Sequence, residues 1–234
     1  MKIVLQKFIA EAGICSRRAA QKLIEQGKVV VNQQIAKLGD RVDEEDEILV
    51  NGVKIVASQD KRYFLLHKPI GYACTHARVA GERSVYDLLP IKEKLFVTGR
   101  LDKNSHGLVF LTNDGALAQR LTHPSFEHEK EYRVVIDKET PISKNQGEKI
   151  ARAMVFGVDI GENDGLVRAK TVRYLGNNAY VIILTYGKKR QIRRMFAVLG
   201  FTVVDLERVR IAGWRLGNLA VGKWRELKLE EINQ

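Results

Sequence analysis

The chain has 234 residues, more than one small domain usually needs, and a strong excess of basic side chains. Lys and Arg total 39 against 28 Asp and Glu, a net charge of +11, and 45% of the residues are hydrophobic. That hydrophobic content is ordinary for a globular protein, but the charge indicates a polyanionic partner, either nucleic acid or an anionic surface. No apolar run approaches the roughly 18 residues of a membrane span, and the apolar run in MKIVLQKFIAEAG is too short for a signal peptide. We therefore expect no membrane association.

The number and spacing of cysteines indicate the cellular compartment in which the protein works. Cys15 and Cys74 are the only cysteines, and they fit neither a disulfide framework nor a zinc knuckle. Because reduced thiols are typical of the cytosol, the sequence predicts a cytoplasmic protein. We further expect it to be a monomer.

Residues 1–58 are predicted to form a small α/β unit. LQKFIAEAG and RRAAQKLIEQG carry apolar residues at helical spacing, and each segment ends at a glycine. Ser16 precedes the second segment, where it can cap a helix. KVVVNQQIAKL and DRVDEEDEILVNG then predict short strands and an acidic turn.

Basic residues cluster at the start of this unit. Residues 1–28 contain six of them, Lys2, Lys7, Arg17, Arg18, Lys22 and Lys28. Arg17 and Arg18 lie where the second helix should begin, and the free N–H groups of a helix N-terminus also attract phosphate. For any single Lys, a solvated helix face is the ordinary explanation.

A linker, ASQDKR (57–62), is predicted to lead into a second domain, residues 62–234. The predicted strands there are YFLLHKP, EKLFVTG, GLVFLTN, EYRVVID and a hairpin of AKTVRYLG and AYVIILTYG over Asn177 and Asn178. The predicted helices are GALAQRLTH, PISKNQGEKIARAM and KRQIRRMFAVLG, and RELKLEEI closes the chain. Hairpin-connected strands with scattered helices favour an α+β fold with a mixed, largely antiparallel sheet.

The segment VTGRLDKNSHGLVFLTNDG (97–115) places Arg100 and Asp102 at the end of an apolar strand. A carboxylate there is costly unless it is paired, so a plain ion pair that fixes a turn is one interpretation. Active sites also often lie where a strand gives way to a polar loop. His106 is interpreted as a polar turn residue.

A second basic cluster follows a predicted core strand at GKKRQIRRMF. In a helix, Lys189 and Arg193 would share one face and Arg190 and Arg194 another, so the two faces could do different work. HPSFEHE offers His123 and His128, which with Asp102 could build a metal-dependent hydrolase. Because Pro124 disrupts helical spacing, we prefer a structural or nucleic-acid-facing interpretation of both histidines.

In chain order, LHKPIGYACT, GRLDKNSHGLVFLTNDG, HEKEYRV and GKKRQIRRMF resemble the RsuA-type family of ribosomal RNA pseudouridine synthases. LQKFIAEAGICSRRAAQKLIEQGKVVVN resembles the S-four-type RNA-binding module that these enzymes carry at their N-terminus. The resemblance covers nearly the whole chain. It implies an RNA-binding domain over 1–58, a pseudouridine synthase domain over 62–234, and ribosomal RNA or a pre-ribosomal particle as partner.

The resemblance also implies a reaction without redox step, metal or cofactor, in which uracil is detached, rotated and rejoined to ribose through a carbon. Asp102 would act as nucleophile or base at the sugar, as carboxylates do in glycosidases. Arg193 would keep Asp102 charged, and Tyr132 would stack on the uracil and assist proton loss. Arg100 would fill the gap left by the flipped-out nucleotide. The residues expected to contact RNA phosphate are Lys7, Arg17, Arg18, Lys28, Lys188 and Arg190.

Besides the synthase, two function classes remain open: the metal-dependent hydrolase and a non-catalytic RNA-binding or ribosome-assembly factor, which explains the charge equally well. Asp102, Tyr132 and Arg193 discriminate the synthase from the binding factor, because a pure binding protein has no use for a carboxylate that repels phosphate. IAKLGDRV and the segment around Asp102 resemble members that act on large-subunit RNA, so we expect a large-subunit uridine as substrate.

Overall fold

A computed structural model of the chain describes residues 2–56, 60–77, 79–91, 93–137, 141–161 and 164–232. The chain divides into two compact units. The first is Met1–Tyr63 with Ile91–Phe96 and Thr112–Gly115, and the second is the remainder. Of the linker predicted at 57–62, residues 57–59 lie outside the described residues.

The first unit packs two helices on short strands. Its elements are β1 (Ile3–Val4), α1 (Leu5–Glu11), α2 (Arg17–Glu25), β2 (Val29–Val31), β3 (Gln34–Ile35), β4 (Arg41–Val42), β5 (Ile48–Val50) and β6 (Val53–Ile55). The order β3-β2-β5-β6 forms an antiparallel sheet, and β1 pairs with β4. Leu5, Phe8 and Ile9 of α1 meet Ala20 and Ile24 of α2 in one core, so the predicted helical stripes are confirmed.

The remaining strands mostly join one large sheet. They are β7 (Tyr63–Lys68), β8 (Tyr72–Ala73), β9 (Arg83–Ser84), β10 (Phe96–Thr98), β11 (His106–Thr112), β12 (Lys130–Asp137), β13 (Val158–Asp159), β14 (Leu166–Val167), β15 (Thr171–Gly176), β16 (Ala179–Leu184), β17 (Thr202–Ile211), β18 (Trp214–Arg215) and β19 (Trp224–Glu226). The helices are α3 (Gly115–Thr122), α4 (Lys144–Phe156) and α5 (Gln191–Val198). Short 3-10 turns cover Val85–Leu88, Pro124–Phe126 and Leu229–Glu231.

The large sheet has the order β15-β16-β12-β17-β11-β7-β19, with β10 on β11 and β18 on β17. The pairs β12–β16, β12–β17, β15–β16, β17–β18 and β7–β19 are antiparallel, whereas β11 and β17 run parallel. The predicted α+β fold with a mixed, largely antiparallel sheet is therefore confirmed. Among the helices in the described ranges, none combines the length and apolarity needed to cross a bilayer.

Strand β17 was missed by the sequence interpretation, although it lies between β12 and β11 in the sheet. Its inward side chains include an arginine: Arg208 is only 1% exposed. The Arg208 guanidinium donates to the carbonyl oxygens of Leu108 at 2.8 Å and Gly99 at 2.5 Å. A charged residue at an inward position hid the apolar alternation that would have predicted the strand.

Helix α5 begins later than predicted. Arg190 has a left-handed backbone, with φ of 53°, and immediately precedes the helix, so Lys188 to Arg190 form a turn. The predicted sharing of helix faces by Lys189 with Arg193 and by Arg190 with Arg194 is therefore wrong. The side-chain oxygen of Gln191 instead accepts from the N–H of Lys188 at 3.0 Å, which closes the turn.

Candidate active site

A cleft of about 900 Å³ opens in the second unit. It is bordered by the loop between β10 and β11, strand β12 and the turn that leads into α5. Six residues predicted from the sequence line it together: Asp102, Tyr132, Arg193, Arg100, Lys188 and Arg190. Residues far apart in the chain thus converge on one concave surface, which is typical of an active site.

The loop of residues 99–105 carries Asp102 into the cleft. Asp102 is half-buried, and its carbonyl oxygen accepts from the N–H of Ser105 at 3.1 Å, which folds the loop back on itself. The N–H of Gly71 donates to the carbonyl of Lys103 at 2.8 Å. At the loop's start, Gly99 is the residue whose carbonyl receives the buried Arg208. The backbone around Asp102 is therefore fixed by contacts from several elements.

Lys68, at the end of β7, is a buried cation beneath this loop that the sequence interpretation did not single out. It is 0% exposed, and its Nζ donates to the carbonyls of Ser105 at 2.6 Å, Pro69 at 2.9 Å and Lys103 at 3.4 Å. Burial lowers the pKa of Lys68 to about 8, although Cys74 and Asp102 favour its charged form. The sequence feature that could have indicated a buried cation is the position of Lys68 directly after the apolar run YFLLH.

Arg193 of α5 forms hydrogen bonds to the same loop. Its guanidinium donates to the carbonyls of Val203 and Asn104, both at 2.7 Å, and to the hydroxyl of Ser105 at 3.3 Å. Burial and the neighbouring Arg190 lower the pKa of Arg193, whereas Asp102 and Asp205 favour its charged form. Within the described residues, Arg193 and Asp102 form no direct ion pair; Arg193 contacts the loop backbone two residues after Asp102.

Tyr132 reaches the cleft from β12. It is 8% exposed and lies opposite Ile182 of β16 on one side and Arg208 of β17 on the other. The register with β17 shifts between Glu131 and Tyr132, and such a bulge re-aims a side chain relative to a regular strand. An aromatic ring with a phenol is thus held rigidly in the wall of the cleft.

The basic residues of 188–210 differ in how far protein contacts occupy their charges. Arg190 is exposed, and Lys188 lies 3.3 Å from Asp164 with 47% of its side chain exposed. Arg194 pairs with the same Asp164 at 2.6 Å. Arg208 is buried, and Arg210 pairs with Glu129 and Glu131. Arg194, Arg208 and Arg210 therefore hold the fold together, whereas Lys188 and Arg190, which were predicted to contact RNA, keep exposed side chains.

The family to which the chain belongs follows from its similarity to known proteins. Residues 62–198 match the family model described as RNA pseudouridylate synthase, and residues 5–48 match the S4 domain. The chain belongs to the RNA pseudouridylate synthase family. It is therefore an isomerase that acts on RNA, and the resemblance to the RsuA-type branch is confirmed.

Individual relatives of this pseudouridine synthase agree with the family model. The dual-specificity RNA pseudouridine synthase RluF of Escherichia coli (strain K12) is 40% identical, over 97% of this chain and 76% of the relative. The ribosomal large subunit pseudouridine synthase B of Vibrio vulnificus (strain CMCP6) is 38% identical, over 98% of this chain and 73% of the relative. A crystal structure of a pseudouridylate synthase aligns with a TM-score of 0.70 at 31% identity, covering 99% of this chain and 98% of the other.

In this pseudouridine synthase the S4 domain carries the other predicted RNA-contacting residues. Arg17 and Arg18 are exposed at the start of α2, where the hydroxyl of Ser16 caps the helix by accepting from the N–H of Ala19 at 3.2 Å. Lys28 is exposed after the helix. Lys7 is partly committed, because its Nζ lies 3.7 Å from Glu11 one helical turn away. Arg17, Arg18 and Lys28 thus present exposed positive charge on the S4 domain.

Of the histidines singled out in the sequence, only His106 was interpreted wrongly. His106 begins strand β11 and is no turn residue; its Nε2 lies 2.9 Å from Oδ1 of Asp205. The ring nitrogen Nδ1 of His123 lies 2.7 Å from the hydroxyl of Ser125. Across the described ranges, His123, His128 and Asp102 are not brought together as metal ligands. Cys15 and Cys74 are free thiols.

Proposed function

We propose that this pseudouridine synthase isomerises a specific uridine of large-subunit ribosomal RNA in the cytoplasm, as a monomer that acts without membrane attachment, metal or cofactor chemistry. The observation that carries the proposal is the convergence of Asp102, Tyr132 and Arg193 on one cleft with a basic rim. The name of the Vibrio relative supports large-subunit RNA as the substrate class.

Asp102 is the catalytic carboxylate in this proposal. It attacks the sugar or takes a proton from it while the bond between C1′ of ribose and N1 of uracil breaks. The detached base rotates, and its C5 bonds to C1′ as Asp102 leaves the sugar or returns the proton that it took. C5 then loses its proton, and N1, which carried none in uridine, gains one. The reaction neither oxidises nor reduces the nucleotide. The fixed backbone of residues 99–105 suits a group that must reach one atom accurately.

The other cleft residues divide the remaining work. Tyr132 stacks on the uracil and assists the loss of the C5 proton. Arg193 holds the loop in place and sets a positive charge near the carboxylate of Asp102. Arg100 is exposed at the mouth of the cleft and fills the gap in the RNA stack that a flipped-out uridine leaves. Lys188 and Arg190 bind the flanking phosphates.

The N-terminal module docks the RNA. In this proposal, residues 1–58 form the RNA-binding domain and residues 62–234 the catalytic domain. Arg17, Arg18 and Lys28 present exposed charge for phosphate contacts, with Lys7 contributing less because Glu11 neutralises part of its charge. A module of this kind raises affinity for structured RNA and leaves the chemistry to the cleft.

The direct test compares wild-type protein with Asp102→Asn and Asp137→Asn. Asp137 is an exposed carboxylate at the end of β12 and serves as the matched control. Each protein is incubated with transcripts of large-subunit RNA, small-subunit RNA and tRNA, and pseudouridine is mapped by carbodiimide-dependent reverse-transcription stops. We expect a stop at one large-subunit position with wild-type and Asp137→Asn, and none with Asp102→Asn at unchanged RNA affinity.

Other outcomes separate the alternatives. Tight RNA binding without modification by wild-type protein, on every transcript and on pre-ribosomal particles, would make the chain a binding or assembly factor. Modification by Asp102→Asn at the wild-type rate would remove Asp102 from its role. Stops only in small-subunit RNA or tRNA would leave the chemistry intact and overturn the substrate class.

A further inference from the structure

Three ligand-type side chains meet on the large sheet outside the residues that line the cleft. They are His67 of β7, His106 of β11 and Glu207 of β17. Their potential ligand atoms all lie within 4.8 Å of one another. Strand pairing produces the cluster, because His106 lies directly opposite Glu207 in the parallel register and β7 is the next strand beyond β11.

One ring nitrogen of His67, Nε2, faces the cluster without a hydrogen-bond partner among the described residues. Its Nδ1 lies 2.8 Å from the carbonyl oxygen of Leu219, and a carbonyl can only accept, so Nδ1 carries the proton. In the neutral ring, Nε2 therefore keeps its lone pair free. His67 is 6% exposed, and its Nε2 is buried with no hydrogen-bond partner. A buried polar atom left in this way costs free energy unless something occupies the space beside it.

His106 is arranged in the same way from the other side. Its Nε2 lies 2.9 Å from Oδ1 of Asp205, which as a carboxylate accepts and so places the ring proton on Nε2. The lone pair of Nδ1 then faces Glu207. An imidazole that donates one N–H to a carboxylate or a backbone carbonyl, while its other nitrogen binds a cation, is the usual arrangement around protein-bound zinc.

Glu207 is the third candidate ligand, and it lies near both ring nitrogens without forming a hydrogen bond to either. Its Oε1 lies 3.9 Å from Nε2 of His67 and 3.9 Å from Nδ1 of His106. Both distances are too long for hydrogen bonds. Ligand atoms bound to one tetrahedral zinc ion lie about 3.3–3.5 Å apart, given metal–ligand distances of about 2.0–2.2 Å. The two Glu207 contacts would therefore have to shorten by roughly half an ångström around a central cation. The two ring nitrogens, which lie within 4.8 Å of each other, would have to approach by up to about 1.4 Å.

We infer that His67, His106 and Glu207 form a binding site for a divalent transition metal ion, with Zn²⁺ as the occupant. Two imidazoles and one carboxylate are a ligand set that Zn²⁺ takes with water in the fourth position. Asp205 and the carbonyl of Leu219 orient the two rings. The ion joins β7, β11 and β17 immediately beside Ser105, where the loop that bears Asp102 rejoins the sheet, so its role is to brace that loop.

The test measures metal binding directly and does not depend on pseudouridine formation. Full-length protein is stripped with a chelator and titrated with Zn²⁺ by calorimetry, and with Co²⁺, whose visible absorption reports coordination geometry. We expect one ion per chain and a rise in melting temperature on loading, because the ion binds the folded state. Glu207→Gln and His67→Asn should each weaken Zn²⁺ binding by about 100-fold or more, and Asp205→Asn by about 10- to 100-fold.

The matched control is the double variant His123→Asn and His128→Asn, which removes two histidines that lie elsewhere. It should bind Zn²⁺ as tightly as wild-type protein. Circular dichroism and RNA affinity verify that each variant is folded, and the Co²⁺ spectrum of wild-type protein carries the test if a variant is not. No binding by wild-type protein, equal affinity in Glu207→Gln, or loss only in the control double variant would each overturn the inference.

Discussion

The guanidinium of Arg193 donates to the carbonyl of Asn104 at 2.7 Å, two residues beyond Asp102 in the chain. Helix α5 therefore controls the position of the carboxylate through the loop backbone, with its charge acting at longer range. In the proposed mechanism, this relationship makes Arg193 a positioning residue that acts on Asp102 through the loop backbone. Arg190 lines the same cleft but is exposed, and in the part of the chain that the structure describes its side chain makes no comparable hydrogen bonds to the loop.

Replacing Arg193 by Leu should reduce the single-turnover rate by about 100-fold, because misplacing a reacting group by about 1 Å costs that much. Arg193→Lys should recover only part of the loss, since an ammonium keeps the charge but cannot donate in a fork to Val203 and Asn104. Rapid-quench measurements at saturating enzyme separate this effect from weakened binding.

The control is Arg190→Leu, which should lower RNA affinity and the salt dependence by about one phosphate contact while leaving the single-turnover rate near wild type. Equal behaviour of the two variants, with affinity alone reduced, would mean that α5 and its preceding turn are only a phosphate clamp.

Lys68 should make stability depend on pH in the alkaline range. Its pKa is about 8 in the folded protein and higher when it is exposed, so the unfolded chain binds more protons between about pH 8 and 10.5. The free energy of unfolding should therefore gain a contribution from Lys68 that rises with pH across this window. Below pH 8 the ammonium is charged in both states, and the burial penalty is fully present.

The measurement is the difference in unfolding free energy between wild-type protein and Lys68→Met from pH 7 to 10.5, obtained by urea denaturation. That difference should change across the window as Lys68 titrates in the folded protein. A flat profile for Lys68→Met would show that the buried ammonium titrates normally.

Gly107→Ala should destabilise the second unit by about 1–3 kcal/mol or more. Gly107 has φ of +108°, and a Cβ there would collide with the backbone of Arg208 in the neighbouring strand. Gly213→Ala is the control, because no atom lies within 4 Å of its added Cβ. Thermal unfolding monitored by tryptophan fluorescence compares them, and equal midpoints would contradict the close approach of β11 to β17.

Arg17→Gln combined with Arg18→Gln should weaken RNA binding and lower the slope of log affinity against log salt by about two units, since each phosphate contact releases close to one counterion. The single-turnover rate at saturating enzyme should be unchanged. Lys144→Gln with Lys149→Gln, on exposed positions of α4, removes the same charge elsewhere and should leave most of the slope intact. Identical slopes for both double variants would show that the effect is net charge alone.

The sequence predicted those helices and strands whose formation depends on residues within one short segment. The helices α1 and α2 follow from apolar spacing and Ser16, and the β15–β16 hairpin follows from Asn177 and Asn178, both of which adopt the left-handed backbone its turn requires. The residues that line the cleft were predicted from motif resemblance, which encodes a spatial arrangement that periodicity does not.

What the sequence did not predict depends on contacts between distant segments. Arg208 reads as a surface cation until β17 is placed between β11 and β12, where carbonyls of other strands surround it. Lys68 likewise acquires its role from a loop more than thirty residues later in the chain. His106 lies in a strand because it pairs with Glu207 of β17 in the parallel register, a contact between segments about 100 residues apart.

The placement of β17 also sets the order in which this sheet can be completed during synthesis. Strands β11 and β12 leave the ribosome long before residues 202–211, yet β17 must lie between them. Until then each of these strands presents an unpaired edge, and such edges invite pairing with other chains. A nascent chain that stops before residue 202 should therefore be readily cleaved by protease and prone to aggregate, even with its S4 domain already folded. The catalytic cleft is accordingly among the last features to form, because Arg208 secures Gly99 only after this late strand is inserted.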